Sequence, residues 1–334
     1  MKQESVLVTG GTGFIGLHLV KRLIKEGYNV RVLTRKESAN IYKLENLNVE
    51  IAHGDICDLS TLDKAFEDIH TVFHCAAHVS DWGSKEEFEK TNVQGTKNVL
   101  NSCVNAHVKL FVGLSTNDVM GRIQDKIVDE SMELKEWREP YPDSKIKAER
   151  LIWQFYREHN LPVTVTYPCW VYGEEDTTFL PHLIEAIEDG SFLYWKKNAA
   201  FYPTYIDNLI DLLLLMSKDK NAIGNGYLVH DGHSVTLKDF CNKISLSLNL
   251  KKVKLSIPYP LALFAAMMMQ NIWKILALKS RPLLTTYIVK NFGSNIKYSI
   301  AKAENELNWT PRFSFEEGFK RTMDWIKNPK NKPM

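Results

Sequence analysis

Apolar runs and helical patterns alternate along the first half of the chain. Between the runs, apolar residues recur at spacings of three and four, which predicts one helix that Gly27 closes and further helices over 59–68, 85–106 and 143–159. Repeated strand–helix units predict a doubly wound α/β fold, in which helices cover both faces of a parallel sheet. The runs that predict strands lie at 6–8, 30–33, 49–53, 71–74, 109–114 and 162–166.

The second half of the chain shows no regular alternation. Helical patterns recur near 179–188, 208–217, 237–248 and 315–327. The sequence has neither an internal repeat nor a low-complexity linker. We therefore expect a smaller, mixed C-terminal lobe that holds the substrate, with some of its segments returning to the sheet.

Length and composition are those of an ordinary globular chain. The 334 residues are 44% hydrophobic and 25% charged, and the net charge of +2 indicates neither a nucleic-acid partner nor an acidic tail. Five scattered cysteines include no Cys-x-x-Cys pair, which favours a reducing compartment. Because the N-terminal sequence shows no apolar leader, we expect a cytoplasmic protein.

The glycines after the first strand suit a phosphate group. The stretch from Thr9 to Gly16, TGGTGFIG, joins that strand to a helix. Glycine permits a positive φ and a close backbone approach, and the helix presents free N–H groups and its positive dipole end. A strand, a helix and a second strand within about thirty residues complete the βαβ unit that binds dinucleotides. A tight turn without a ligand is the alternative interpretation.

The end of the second strand indicates which dinucleotide is bound. A carboxylate there accepts hydrogen bonds from the ribose hydroxyls of NAD, whereas an arginine pairs with the 2′-phosphate of NADP. The strand ends in Thr34, Arg35 and Lys36, so we expect NADP, with Arg35 at the phosphate. Glu37 lies where the acid of an NAD site can stand, so NAD is the alternative.

Tyr141 and Lys145 carry the candidate chemistry. Four residues apart on a predicted helix, they share one face, so the ammonium can lie near the phenol. A nearby cation favours the phenolate and lowers a pKa that is ordinarily about 10, which makes Tyr141 a candidate general acid or base. Ser115 and Thr116 follow the fifth strand, at the edge where open α/β sheets bind ligands.

Taken in order, these motifs resemble one family. The further matches are Asp55-Ile56, His74 to Ala77, Asn92 to Thr96 and Pro168 to Gly173. The set resembles the extended short-chain dehydrogenase/reductase family, which is NAD-dependent epimerase/dehydratase-like and includes sugar-nucleotide epimerases, 3β-hydroxysteroid dehydrogenases and dihydroflavonol-type reductases. The resemblance covers nearly the whole chain. It implies a Rossmann-type fold, which we divide into a dinucleotide-binding domain at 1–168 and a mainly substrate-binding lobe at 169–334.

The resemblance also implies a role for each matching residue. Thr116 would hydrogen-bond the substrate oxygen, Tyr141 would transfer the proton, and Lys145 would bind the nicotinamide ribose and lower the pKa of the tyrosine. Asn92 would brace the active-site helix, and hydride transfer belongs to the nicotinamide. The residues implied at the cofactor are Gly10, Gly13, Phe14, Ile15, Gly16, Arg35, Asp55, Ile56, Ala76, Ala77, Tyr141, Lys145, Pro168 and Val171.

Missing residues separate the branches of the family. Sugar-nucleotide members carry Arg-Pro-x-Asn before the Val-Tyr-Gly turn, where this chain has Tyr167-Pro168-Cys169-Trp170, and an arginine before Tyr-Ile-Asp, where it has AAFYPT. A diphosphate without those donors would be poorly compensated in a desolvated cleft. We therefore expect the 3β-hydroxysteroid dehydrogenase and dihydroflavonol reductase branch, with a lipophilic substrate in an aromatic pocket that includes Trp170 and Thr116. Core packing is the alternative for Trp170.

The segment 260–278 is almost continuously apolar, interrupted by Gln270, Asn271 and Lys274. Those interruptions make it a poor bilayer span. Three interpretations are open: a buried helix of the lobe, a lid over a lipophilic pocket, and a helix that lies in a membrane interface. The segment resembles its counterpart in steroid-dehydrogenase-like members.

The expected function is an NAD(P)-dependent oxidoreductase that interconverts a ketone and a secondary alcohol on a steroid-like, 3-oxoacyl or similar lipophilic substrate. The alternatives are a sugar-nucleotide epimerase or dehydratase and a dinucleotide sensor without turnover, although a sensor needs no proton relay. We expect no metal, because His74 and His78 lack supporting ligands. The resemblance implies a homodimer through the helices that contain Asn92 and Tyr141.

Overall fold

A seven-stranded sheet forms the centre of the computed structural model, which describes residues 4–122, 126–196, 198–278 and 280–331. Its strands are β1 (Ser5–Thr9), β2 (Asn29–Thr34), β3 (Glu50–His53), β4 (Thr71–His74), β5 (Leu110–Leu114), β7 (Val163–Pro168) and β11 (Gly226–Val229). Their order is β11-β7-β5-β4-β1-β2-β3, and every neighbouring pair is parallel. The predicted doubly wound α/β fold is confirmed.

Within the described ranges, three two-stranded pairs lie outside the main sheet. They are β6 (Ile127–Val128) with β13 (Lys297–Tyr298), β8 (Trp170–Tyr172) with β10 (Pro203–Tyr205), and β9 (Ala200–Phe201) with β12 (Val235–Thr236). Short 3₁₀ turns occur at Ile41–Leu44, Leu59–Thr61, Asn117–Met120, Lys220–Ala222 and Pro329–Asn331.

Helices flank the sheet and build most of the C-terminal half. In the first half these are α1 (Phe14–Lys25), α2 (Asp63–Phe66), α3 (Lys85–Phe88), the π-helical segment Glu89–Gly95, α4 (Thr96–Asn105) and α5 (Pro140–His159). The remaining helices are α6 (Leu180–Glu188), α7 (Ile206–Lys218), α8 (Leu237–Ser247), α9 (Tyr259–Ile275), α10 (Thr286–Phe292), α11 (Ala301–Leu307) and α12 (Phe315–Lys327). No helix among the described residues is long and apolar enough to cross a membrane.

The structure departs from the predicted elements in a few places. The helix predicted over 59–68 is a single 3₁₀ turn followed by the short α2, because the chain turns at Asp68, whose φ of 57° is left-handed. The helix predicted over 85–106 contains the π-helical segment. Helix α5 begins at Pro140 rather than at 143, since proline lacks an N–H and suits the first helical turn. The strand β11 belongs to the second half and returns to the sheet beside β7.

A buried carboxylate joins the end of β11 to the C-terminal half. Asp231 accepts hydrogen bonds from the Tyr205 N–H at 2.7 Å, the Asn208 amide at 2.9 Å and the Tyr172 hydroxyl at 3.0 Å. Asn208 in turn bonds both backbone groups of Phe313, ahead of α12. Burial raises the pKa of Asp231 to about 6, and the three hydrogen bonds oppose that shift. This network fixes the C-terminal segment to the sheet.

We expect Asp231→Ala to lower the free energy of unfolding by about 3 kcal/mol, because it leaves buried donors without their acceptor. Urea titration at neutral pH measures the change. Asp231→Asn keeps one acceptor oxygen in the same place and should cost less than the alanine variant. Equal stability of wild type and Asp231→Ala would contradict the bridging role of this carboxylate.

Candidate active site

The predicted site residues gather at one edge of the sheet, where the parallel strands end. From β1 the strand order runs through β2 and β3 to one side of the sheet, and from β4 it runs through β5, β7 and β11 to the other. The order reverses between β1 and β4, and a crevice opens at such a switch point. The residues that follow the strands at this edge are Gly10 after β1, Arg35 after β2, Asp55 and Ile56 after β3, Ala76 and Ala77 after β4, and Thr116 after β5, while Pro168 ends β7 and Val171 lies in β8.

The glycine turn forms a backbone cradle that requires glycine at Gly10 and Gly16. Gly10 has a φ of 70°, and a Cβ there would lie 2.7 Å from the Ala76 nitrogen. A Cβ on Gly16 would lie 2.2 Å from the Gly10 oxygen. Gly13 is the N-cap of α1, in extended conformation and without a capping side chain. The first N–H groups of α1, at Phe14 and Ile15, are therefore left for a ligand, and the cradle fits a pyrophosphate.

The turn after β2 lies against the glycine turn. The Ser38 N–H donates to the Arg35 carbonyl at 3.1 Å, and the Ser38 hydroxyl donates to the Thr12 hydroxyl at 3.3 Å. The Arg35 side chain is exposed and forms no ion pair within the described part of the chain. Glu37 is exposed as well. Both candidate selectors of the dinucleotide thus project from one short turn beside the cradle.

The turn after β3 lies beside the turn after β2 at the same edge of the sheet. Asp55 holds its own turn, because its Oδ1 accepts from the Cys57 N–H at 2.9 Å. Ile56 is buried, and its carbonyl accepts from the Asn98 amide at 2.8 Å. Gly95 leaves room for the Ile56 side chain, since a Cβ at this position would lie only 2.8 Å from the Ile56 Cδ1.

A chain of buried polar groups supports the cradle from within the protein. His74 Nδ1 lies 2.8 Å from the Thr9 hydroxyl, and its Nε2 lies 3.0 Å from the Thr96 hydroxyl. The Thr9 hydroxyl also accepts from the Ala76 N–H at 3.2 Å. Burial, with a contribution from Lys145, lowers the pKa of His74 to about 3, so the ring is neutral. Both ring nitrogens serve this structural chain.

Thr116 is the hydroxyl that faces Tyr141. Its side chain hydrogen-bonds to the Tyr141 phenol and also accepts from the Asp118 N–H at 3.3 Å. Ser115 points elsewhere, and its hydroxyl donates to Glu149 at 2.7 Å. Of the two adjacent hydroxyls that the sequence offers, the structure places Thr116 beside the phenol.

The pKa of Tyr141 is raised, whereas its spacing from Lys145 predicted a lowered value. Burial is the main cause, the negative charge of Asp118 adds to it, and the hydrogen bond with Thr116 opposes it. Lys145 does not act on the phenol here, because its Nζ donates to the Leu114 carbonyl at 2.8 Å. Burial lowers the pKa of Lys145 to about 8, against the effects of Glu149 and Cys75. The predicted direction of the tyrosine shift is wrong for this arrangement of side chains.

Asp118 is a site residue that sequence reasoning missed. It is buried, and it accepts from the Tyr287 hydroxyl at 2.7 Å and the Asn291 amide at 3.3 Å. The Tyr287 ring meets the Tyr141 ring edge-on at 6.0 Å. Burial raises the pKa of Asp118 to about 6, and its hydrogen bonds oppose the shift. The position of Asp118 two residues after Thr116 was the one sequence signal that it could belong to the site. Nothing in the sequence links Asp118 to α10.

A second buried carboxylate, Glu149, stands behind the site. It accepts from the Ser115 and Tyr167 hydroxyls, both at 2.7 Å, and from the Trp153 indole at 3.2 Å. Burial raises its pKa, and these hydrogen bonds oppose the shift. Its position four residues after Lys145 places both on one face of α5, which was the signal that sequence reasoning left unused.

Asn92, in the π-helical segment, ties this segment to α5. Its amide donates to the Ser144 hydroxyl at 2.9 Å, and that hydroxyl donates to the Tyr141 carbonyl at 2.7 Å. Asn92 also exchanges two hydrogen bonds with the backbone of His78, after β4. The bracing role that the resemblance implied for Asn92 matches these contacts.

Trp170 lies in an aromatic cluster next to the site. Its ring stacks on Phe292 at 4.7 Å, tilts against Phe179 at 4.7 Å and lies 5.9 Å from Phe201. The pocket beside it is lined by Trp170, Phe201 and Phe292 together with Asn117, the neighbour of Thr116. Its cavity volume is about 30 Å³, room for one or two water molecules. Trp170 is therefore both a packing residue and a pocket wall.

A glycine cradle at the switch point of a parallel sheet, with a tyrosine and a lysine from one helix at the same edge, defines a dinucleotide-dependent oxidoreductase. The sequence agrees with that class. The chain belongs to the NAD dependent epimerase/dehydratase family, whose model matches residues 6–229. It is thus an enzyme of the extended short-chain dehydrogenase/reductase type, as its motifs predicted.

Relatives with known names match almost the whole chain. The 4-hydroxy-2-methyl-3-oxo-4-farnesyl-3,4-dihydroquinoline-1-oxide ketoreductase of Stigmatella aurantiaca is 29% identical over 93% of this chain and 93% of its own. The 3 beta-hydroxysteroid dehydrogenase/Delta 5-->4-isomerase of Mycobacterium tuberculosis is 28% identical over 93% of this chain and 87% of its own. The UDP-glucose 4-epimerase of Thermotoga maritima superimposes with a TM-score of 0.78 at 23% identity, over 97% of this chain and 98% of its own, which shows the shared fold.

We expect the contribution of His74 to stability to be lost as the pH drops below about 6.5, because the unfolded chain protonates His74 there and the folded protein does so only near pH 3. Asp118 and Asp231, whose raised pKa values act with the opposite sign, are present in both proteins of the comparison below. In His74→Asn, the loss of unfolding free energy between pH 7 and pH 5 should shrink by about 2 kcal/mol. Urea titrations at both pH values test this. Burial lowers the pKa of His230 to about 4, so His230 also destabilises the folded protein as the pH falls. This effect is the same in wild type and variant and cancels in the comparison. An identical pH dependence in the variant would contradict a neutral, buried His74.

Proposed function

We propose that the protein is an NADP-preferring oxidoreductase that interconverts a ketone and a secondary alcohol on a lipophilic substrate. The observation that carries the proposal is the aromatic pocket wall of Trp170, Phe201 and Phe292 beside Asn117, one residue from Thr116. Aromatic side chains bind large apolar groups and leave a few polar atoms to orient the substrate. Steroid-like and 3-oxoacyl compounds combine such an apolar body with a carbonyl.

The described lining of this pocket also argues against a sugar nucleotide. No Arg or Lys is found among its described lining residues, and Tyr202 and Ile296 continue the apolar wall beyond the aromatic cluster. A diphosphate in such surroundings would lose its hydration without gaining cationic partners. The similarity to the ketoreductase and the steroid dehydrogenase points the same way as these side chains.

The side chains at the sheet edge suit a proton transfer to the substrate oxygen. The raised pKa of Tyr141 keeps its phenol protonated at neutral pH, which is the form that donates a proton to a ketone oxygen. Thr116, bonded to that phenol, would orient the same oxygen. Lys145 would hold the nicotinamide ribose, and the bound nicotinamide supplies the hydride. Asp118 favours the protonated phenol through its negative charge.

The cofactor residues fit this proposal. The cradle from Gly10 to Gly16 would hold the pyrophosphate, and Asp55 and Ile56 would border the adenine. Ala76 and Ala77, with Pro168 and Val171, would line the path toward Tyr141. Arg35 is exposed on the turn beside the cradle and is free to pair with a 2′-phosphate.

The proposed function predicts that Tyr141→Phe lowers the reduction rate by about 10²- to 10⁴-fold, because the proton donor is lost. The assay follows NADPH oxidation with a panel of 3-oxosteroids and 3-oxoacyl thioesters. NADPH affinity should be unchanged, since the phenylalanine keeps the ring. Tyr156→Phe, on the same helix but away from the sheet edge, is the matched control and should retain wild-type activity.

Three outcomes would overturn this assignment. A fully active Tyr141→Phe would remove the tyrosine from the proton path. Thermal stabilisation by UDP- or GDP-sugars, without turnover of any lipophilic ketone, would establish the sugar-nucleotide alternative. Tight NADPH binding without turnover of either class would favour the dinucleotide sensor.

Cofactor preference has its own test. We expect Arg35→Ala to weaken NADPH binding at least about tenfold, because one charge-assisted contact to the 2′-phosphate disappears, and to leave NADH binding unchanged. Titration calorimetry with both nucleotides measures this. Lys36→Ala, which removes the neighbouring exposed cation, is the matched control and should affect NADPH less. Equal weakening of NADPH and NADH in Arg35→Ala would show that the site does not read the 2′-phosphate through Arg35.

The assembly and location of the protein complete the proposal. A homodimer would form through the helical segments that contain Asn92 and Tyr141. All five cysteines are free thiols, which supports a reducing, cytoplasmic setting.

A further inference from the structure

Helix α9 presents its large apolar side chains outward. The stripe Leu261, Phe264, Met268, Ile272 and Ile275 recurs at helical spacing and lies on one face. All five are exposed, from 45% at Ile272 to 82% at Ile275. Ala262 and Ala266 are the fully buried residues of this helix. Because a helix that packs into a core buries its large side chains, the interpretation of 260–278 as a buried helix is wrong.

The inner face of α9 is occupied by α10. The Met269 sulfur accepts from the Leu284 N–H at 3.4 Å, and the Gln270 side chain accepts from the Thr286 N–H at 3.2 Å. Tyr259 packs so closely on Gly293 that a Cβ there would lie 2.4 Å from its ring. The partner of the outward stripe is therefore not α10. Leu276, Leu278 and Leu283 extend the exposed apolar surface beyond the helix.

Every charged side chain in the segment around α9 is a lysine or an arginine. Residues 240–303 contain ten Lys or Arg and no Asp or Glu. Since the whole chain has 42 basic and 40 acidic residues, the rest of it holds 32 basic and 40 acidic ones. Lys251, Lys252 and Lys254, ahead of α9, and Lys274, in its last turn, are exposed. Of the ten cations, Lys243, Arg281 and Lys290 form ion pairs with carboxylates outside the segment. The four exposed lysines form no ion pair within the described part of the chain, and they are the cations that the segment presents beside the apolar stripe.

We propose that α9 docks the protein on an anionic lipid surface, with its apolar stripe inserted at the headgroup boundary and the surrounding lysines on the lipid phosphates. An apolar helix face flanked by basic residues binds such a surface through both hydrophobic burial and charge attraction. A second copy of this chain fits less well. In a two-fold contact the same face meets itself, which would bring cationic segments together.

The docked orientation would bring the substrate pocket close to the lipid. Helix α10 contacts α9 on one side, and on the other it supplies Phe292 to the pocket and Tyr287 to Asp118. Arg281 and Thr285, between the two helices, both bond to Asp81 near the site, Arg281 at 2.5 and 2.6 Å and Thr285 at 2.9 Å. A lipophilic substrate could pass from the bilayer to the pocket along this hairpin.

The experiment is co-sedimentation of the full chain with vesicles, which requires no substrate and no turnover. We expect binding to vesicles of phosphatidylcholine with about a third phosphatidylglycerol, weaker binding to pure phosphatidylcholine, and partial release by salt. The variant Phe264→Glu/Ile272→Glu should reduce the bound fraction about tenfold or more, because it places two charges in the inserted stripe.

Leu246→Glu is the matched control, since this leucine is 75% exposed on α8 and lies outside the stripe. It should bind vesicles like the wild type. Thermal unfolding and NADPH binding of each variant show that the fold is retained. Equal vesicle binding by Phe264→Glu/Ile272→Glu and wild type would overturn the proposal. A dimer that this variant dissociates, with no vesicle binding by the wild type, would assign the stripe to contact between copies instead.

Discussion

The backbone of Gly10 passes so close to Ala76 that no side chain fits between them, and the rest of the site depends on that contact. It brings the loop after β1 against the loop after β4, so that the cradle and the edge of the crevice are one surface. The Thr9 hydroxyl, bonded to both His74 and the Ala76 N–H, holds the two loops in this position. Because β4 also pairs with β5, the same contact fixes the distance from the cradle to Thr116. The geometry of the cofactor site is thus set by hydrogen bonds buried inside the sheet.

Sequence patterns sufficed for six of the seven strands and for the cradle, because these rest on local signals, whereas β11 was not predicted. Each central strand is a continuous apolar run because both of its faces are buried. Glycine is required where the backbone has a positive φ or approaches a neighbouring segment too closely for a side chain. The pairing of Asp118 with Tyr287 and Asn291 could not be predicted from the sequence, since it joins the 3₁₀ turn after β5 to a helix far along the chain. The predicted direction of the Tyr141 pKa shift was wrong for a related reason. Helical spacing placed Lys145 on the correct face but could not show that the Leu114 carbonyl holds its ammonium.

Two buried carboxylates frame the catalytic edge in different ways. Glu149 has three donors and lies on the inner side of α5, so its charge is compensated by the fold. Asp118 faces Tyr141 and receives its hydrogen bonds from α10, which belongs to the C-terminal half. The protonation of the Tyr141 phenol therefore depends on the position of the C-terminal half. The surroundings of Lys145, in contrast, are formed by the Rossmann half alone.

The short helix α10 performs two tasks whose consequences are kinetic. Phe292 at its end forms part of the pocket wall, and Tyr287 near its start bonds Asp118. A ligand too large for a cavity of about 30 Å³ must displace part of this wall, and displacement of Phe292 moves a helix of only seven residues. Substrate binding and product release are then linked to the hydrogen bond on Asp118. Loop and helix motions of this kind commonly take microseconds to milliseconds, so the opening of α10 is a step that can set the rate of turnover.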